Sequence, residues 1–194
     1  MKYKLTEETK EVYGRTLYRI VCVTAFASVS VGDIGGWVES ENNLSQEGNA
    51  WVCGNALVYG NAKVCGNALV YGNAWVYGNA EVCGNAEVCG YAEVFGNAEV
   101  YGNAWVYGNA LVCGNAEVCG LTDFMVLKNS WSSGRYFTYT ASNKNFKVGC
   151  FYGTGEELIK KAYKDSELSG KCYEAAVKYV EEIERLKKEL KNEH

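Results

Sequence analysis

A mainly β fold, a solenoid of short strands stacked coil upon coil, is what this sequence predicts. Three observations predict it. Val recurs every sixth residue without a break at 52, 58, 64, 70, 76, 82, 88, 94, 100, 106, 112 and 118. Gly stands two places after each Val, followed by Asn except at Tyr91 and Leu121, then by Ala except at Thr122. The chain holds 22 Gly and no Pro, and both counts follow from the repeat. Strict self-similarity at a fixed period is the signature of a repeat architecture.

One unit explains the rest. Six residues with a Gly in each make a poor helix, because a helix-interior Gly costs about 1 kcal/mol relative to Ala. Val flanked by aromatic, Cys or Glu residues suits a short strand with Val turned inward. Gly-Asn is turn chemistry, since both tolerate positive φ. Ala leaves room at a corner. No single unit buries its Val, so the units must stack.

An aliphatic residue first and a small residue fifth, over twelve units, resembles the hexapeptide-repeat family. That resemblance implies a left-handed parallel β-helix, a triangular solenoid with three units per eighteen-residue coil. Twelve units are then four coils, about 20 Å tall at ~4.8 Å per strand. The stretch G-D-I-G-G-W-V-E-S-E-N-N-L-S, residues 32–45, resembles the lead-in segment of hexapeptide-repeat proteins from bacteriophage and prophage genomes. V-G-C-F-Y-G-T-x-E-E-L, residues 148–158, resembles the tail of the same proteins.

Taken in order, residues 1–33 form an N-terminal cap. Residues 1–13 are polar and lead into a strand; residues 15–26 have β composition and cover the first coil, whose bare end would expose unpaired backbone. Residues 34–123 are the β-helix. Its first coil is worn: Ile34 and Val38 fit inward places, Ser40 and Leu44 fit in part, then Gln46 and Ala50. Residues 124–194 are an appendage. Residues 124–128 close the last coil as a strand. A β-hairpin follows, from residues 131–140 and 146–151. Two helices end the chain. Thr154 with Glu157 makes a capping box for a helix at 155–164. A second helix spans 170–191, with Tyr173, Ala176, Val177, Val180, Ile183, Leu186 and Leu190 as its apolar stripe.

Composition sets bounds. Net charge is −4, which gives no electrostatic reason to expect nucleic acid. No apolar leader opens the chain and no run reaches the ~20 residues that span a bilayer, so a cytoplasmic protein is expected, in a host cell if phage-encoded. Six of nine Cys (Cys53, Cys65, Cys83, Cys89, Cys113, Cys119) share one repeat position with Tyr and Phe. They read as reduced, half-exposed strand residues rather than disulfides or metal ligands.

The residues before and after each Val face outward. Sorted by coil, one face carries Trp51, Leu69, Tyr71, Trp105 and Tyr107. A second carries Leu57, Tyr59, Trp75, Tyr77 and Phe95. The third is acidic, with Glu81, Glu99 and Glu117. Apolar columns of this size need a cover. Self-association is expected, as a homotrimer in which the first face of one subunit meets the second face of its neighbour, rather than a dimer.

For a site, the turn Ser132, Ser133, Gly134 and Arg135, with Tyr136 and Tyr139 to stack on a ring, suits a small anionic, nucleotide-like ligand. The Glu column reads as a solvated face. The family resemblance also implies acyltransferases that use a histidine base. The only histidine here is His194, so catalysis, metal and cofactor are all unexpected. The function expected is a non-enzymatic phage accessory protein that sequesters such a ligand or a host protein, with a structural, virion-associated scaffold as the alternative.

Overall fold

Twelve strands of two residues each run from β4 (Trp51–Val52) to β15 (Glu117–Val118) in a computed structural model that describes residues 1–192. They do not form one sheet. Every third strand pairs in parallel register, Val on Val, so three ladders rise side by side: β4-β7-β10-β13, β6-β9-β12-β15 and β5-β8-β11-β14. A fifth, partial turn precedes them. It is built from β3 (Ile34–Val38), which pairs in parallel with β5, a 3₁₀ turn at Glu41–Asn43, and a bridge from Leu44 to Val64. The result is a parallel β-solenoid of about five turns, with two compact units along the chain, Met1–Asp123 and Phe124–His194.

Two residues per unit fill the interior of the solenoid. Val52 through Val118 are at most 1 % exposed, and the Ala that follows each Gly-Asn corner is as deeply buried. The sequence assigns Ala to the corner alone; it is a second core residue. Gly54 takes φ +67° while Asn55 keeps a negative φ, and the Ala56 amide closes the turn on the Cys53 carbonyl at 3.3 Å. That is the sign pattern of a type II′ turn. Gly is needed twice over: a Cβ at Gly66 would also lie 3.0 Å from the backbone nitrogen of Gly84 in the next coil. Asn, free of any left-handed duty, builds amide ladders up the corners, Asn49–Asn67–Asn85–Asn103 and Asn61–Asn79–Asn97–Asn115, with bonds of 2.9–3.2 Å.

The N-terminal arm seals the first turn. β1 (Tyr3–Val12) and β2 (Arg15–Cys22) form an antiparallel hairpin, and β2 extends the β3 ladder into a seven-stranded sheet. The hairpin turn is Tyr13-Gly14, both at positive φ, the I′ geometry that matches strand twist. Lys2 donates through Nζ to the Ala50 carbonyl at 2.8 Å, and the Tyr3 hydroxyl donates to Leu44 at 2.6 Å. The Gln46 side chain brackets the Tyr3 backbone, and Asn43 Nδ2 reaches the carbonyls of Gly60 and Ala62. Carbonyls with no coil before them thus find side-chain donors. Ile34, expected inward, is 55 % exposed, whereas Val38, Leu44 and Ala50 are buried.

The unit from Phe124 is a four-stranded antiparallel sheet, β16 (Phe124–Lys128), β17 (Tyr136–Thr140), β18 (Asn145–Val148) and β19 (Phe151–Gly153), carrying α1 (Gly155–Asp165) and α2 (Glu167–Asn192). β16, expected as a closing strand of the solenoid, pairs in antiparallel register with β17 over five residues and belongs to this sheet. The Thr154–Glu157 capping box is present. Phe137, Tyr139, Phe146, Leu158, Tyr173, Val177 and Val180 are the core.

Candidate functional site

A concavity lies along one corner of the solenoid, where β5 turns towards β6 and β8 towards β9. It holds about 1080 Å³ and is bounded by Arg15, Glu39, Asn43, Tyr59, Lys63, Tyr77 and the Asn61–Asn79 step of an amide ladder. Gly60 and Gly78 also line it, next to the Asn61–Asn79 amide pair. Glu39 organises the end nearest the arm. Its carboxylate accepts the Gly60 amide at 2.6 Å and both contacts from the Arg15 guanidinium, at 2.8 and 3.0 Å. Arg15 is thereby engaged. Lys63 is held only loosely, 4.0 Å from Glu81, and remains the cation of the groove.

Its aromatic wall is a ladder. Tyr59 stacks on Tyr77 at 5.1 Å and Tyr77 on Phe95 at 4.9 Å, with planes parallel to within 2°. In-register strands place identical ring types face to face, so the stack follows directly from the repeat. The Tyr77 hydroxyl donates to Glu93 at 2.9 Å. Burial pushes the Tyr59 phenol up to about 12, with Tyr13 adding to the effect, and burial likewise raises Tyr77. Both phenols therefore stay protonated near neutrality; the Tyr77 O–H is held by Glu93, which leaves its oxygen as an acceptor. A smaller hollow of about 520 Å³ on another corner is bounded by Lys10, Asn55, Asn73, Trp75, Tyr91 and Glu93.

The turn that the sequence singles out is spent on itself. Asn129, 3 % exposed, accepts the Ser132 amide at 2.9 Å on its side chain and the Gly134 amide at 2.8 Å on its carbonyl. The Arg135 amide bonds to Ser133 Oγ. Asn129 Nδ2 also donates to Ser132 Oγ and to the Tyr173 hydroxyl, at 3.1 and 2.8 Å. The backbone amides that would cradle an anion are thus satisfied internally. Tyr139 is 5 % exposed and tilts against Phe146 in the core, so it is closed to a ring; Tyr136 is on the surface, with the Lys128 ammonium 5.7 Å from its ring. Neither hollow described above is lined by Ser132, Ser133, Gly134, Arg135, Tyr136 or Tyr139.

The outward apolar columns are covered from one end by the chain itself. Trp51, 5 % exposed, meets Tyr3 and Phe26 edge-on, and Leu57 and Tyr59 pack with Val12, Leu17 and Trp37. These three are not available to a second subunit. Leu69, Tyr71, Trp75, Tyr77 and Phe95 are half-buried, while Trp105 and Tyr107 are exposed at 44 % and 48 %. On the third face Glu81, Glu99 and Glu117 stand in register and exposed. Among the described residues no set of His, Cys, Asp and Glu converges as a metal site, and no helix is long and apolar enough to cross a membrane. His194 lies outside the described residues. All nine Cys are free; Cys89 and Cys113 are buried and Cys119 exposed, so the shared position is not uniformly half-exposed.

A model of the YdcK beta solenoid repeat matches residues 62–78, just under one coil that includes Lys63 and Tyr77 of the groove. No curated protein matches the chain. The agreement is one of fold: a β-solenoid repeat, found by period and seen in the ladders.

Sequence reasoning missed the groove because Arg15 and Glu39 lie outside the repeat. A signal was present in part: Lys63 is the one basic residue in a column otherwise filled by Glu81, Glu99 and Glu117.

Proposed function

We propose that the protein is a non-enzymatic binding module in which the solenoid is the scaffold and the Glu39 corner groove takes a small anionic, nucleotide-like ligand. The observation that carries this reading is the groove's lining: phenol hydroxyls, side-chain amides and the Lys63 ammonium, groups that recognise polar rings and phosphate. The reading is also supported by what the sequence lacks, since a general base suited to acyl transfer near neutrality is most often histidine, and the chain's only one is His194. The left hand of the coil, the hexapeptide family and a prophage setting with a counter-defence role are part of the same proposal, and rest on the resemblance of residues 32–45 and of the repeat.

Native mass spectrometry of the purified protein, followed by calorimetry against a panel of cyclic and linear nucleotides, tests it. The parent protein is expected to bind at least one member. Lys63→Ala should weaken that binding about tenfold, the loss of one charge-assisted contact of ~1.5 kcal/mol. No binding to any member overturns the ligand class. Binding that is indifferent to Lys63→Ala and Asn79→Ala moves the site off this corner.

A further inference from the structure

α2 carries two apolar stripes; the core takes the whole of one and, of the other, only Ala176 at its edge. Tyr173, Val177 and Val180 face the core, each at most 6 % exposed. The other stripe runs Cys172, Ala176, Tyr179, Ile183, Leu186, Leu190, a spacing of four and three in strict alternation. At 100° per residue its centre lies roughly 105° around the helix from the core stripe. Tyr179, Leu186 and Leu190 on it are 56 %, 41 % and 62 % exposed. Beyond Val180 no described residue of α2 is buried, yet the helix continues to Asn192. A segment that short is marginal as a lone helix in water, and its stability ordinarily comes from packing an apolar face.

We infer that this stripe is the seam of a parallel two-stranded coiled coil between two copies of the chain. The alternation is a heptad with Ala176, Ile183 and Leu190 at a and Cys172, Tyr179 and Leu186 at d. Ile at a with Leu at d, as in Ile183 and Leu186, favours two strands. Charge fixes the direction. Glu182 and Glu189 fall at g, and Lys187 at e. In a parallel pair Glu182 of one copy faces Lys187 of the other, twice by symmetry. In an antiparallel pair the g positions meet each other and carboxylate faces carboxylate. The seam from Cys172 to Leu190 is ~27 Å long on a helix ~10–12 Å wide, a contact at the small end of specific interfaces, so the dimer is concentration-dependent. Within one copy Glu182 bonds to Arg185 at the surface, and Lys187 donates to Glu184 in a part-buried pair that assembly has to rearrange.

The same register sets Cys172 of one copy opposite Cys172 of the other, which supplies a test with no engineered residue. The full-length protein is examined by sedimentation velocity from roughly 1 to 100 µM, a range suited to a small interface. A monomer–dimer equilibrium is expected. Leu186→Lys with Leu190→Lys should leave a monomer across the range with an unchanged helical signal, since both side chains are surface positions. Lys187→Glu should weaken association, and Glu182→Lys combined with it should restore it. Mild oxidation of the dimer with diamide, which takes up the two thiol protons and electrons, should give a covalent dimer that survives Cys119→Ser and Cys150→Ser and is lost in Cys172→Ser. A parent protein that stays monomeric, association that ignores the double Lys variant, or a dimer with no Cys172 cross-link each overturns the seam as assigned. None of these outcomes bears on the groove, whose reading rests on ligand binding.

Discussion

From Val52 to Val118 the interior is Val and Ala, one of each per six residues, and every coil repeats the last. In the unit that follows, the interior is Phe137, Tyr139, Phe146, Tyr173 and a few aliphatic partners, each with its own neighbours. The small core residues of the solenoid bury little each, so it gains stability by addition: each coil binds the one before it. The aromatic core gains it by fit, with rings at 5.0–6.2 Å meeting edge to face around Trp131, Phe137 and Tyr173. A repeated position in the first region is one of many alike; a core position in the second has no substitute.

The sharpest way to break that contrast is a buried charge. Val88→Asp places a carboxylate where the side chain has no exposure and no polar partner, an expected loss of more than ~4 kcal/mol and of the cooperative β transition by circular dichroism. Retention of the parent's melting temperature would mean that the interior is not the dry Val–Ala stack described.

A pair of glycines sharpens the comparison. Gly66 and Gly134 both sit at φ +68°, so Ala at either is strained by roughly 1–2 kcal/mol. Around Gly134 there is open space within 4 Å; at Gly66 the added carbon meets the next coil's backbone at 3.0 Å. Gly66→Ala should therefore cost more than Gly134→Ala, by about 1–3 kcal/mol, the range for overpacking. Denaturant midpoints measured side by side decide it. Equal losses would show that the corners yield.

The smallest effect is on pH. Burial raises Tyr59 in the solenoid and Tyr139 in the second unit to about 12 each. In the unfolded chain such phenols ionise near 10, so between 10 and about 12 the folded state holds more protons and stability falls as pH rises. The contribution is complete below pH 10 and lost above about 12. Melting temperatures across that window should decline, and less steeply in Tyr59→Phe and Tyr139→Phe.

How much of this was legible follows from the range of the interactions. The solenoid could be read because its cause is local: a Val that cannot be buried alone and a Gly-Asn corner every six residues. What covers the outward columns could not, because Tyr3, Leu17 and Phe26 reach Trp51 and Leu57 from sites far along the chain. The Ser132–Arg135 turn reads as an anion cradle because composition does not say where an amide points, and Asn129 had already claimed two of them. The apolar residues of α2 look like one wide stripe until the core selects Tyr173, Val177 and Val180, with Ala176 at its edge, and leaves Tyr179, Leu186 and Leu190 exposed. β16 shows the same limit: F-M-V-L-K suits a strand in either setting, and its antiparallel partner β17 lies further along the chain.

The three ladders also set a rule for insertions and deletions. Corner partners are eighteen residues apart in sequence, and three six-residue units make each turn. Gain or loss of eighteen residues would add or remove one storey and return every outward side chain to its own face. Gain or loss of six would keep the Val interior intact and yet rotate everything beyond it by one face, carrying Glu81, Glu99 and Glu117 out of column with Lys63. A DNA repeat that slips by single units therefore changes the surface without challenging the core, and only every third slip is silent.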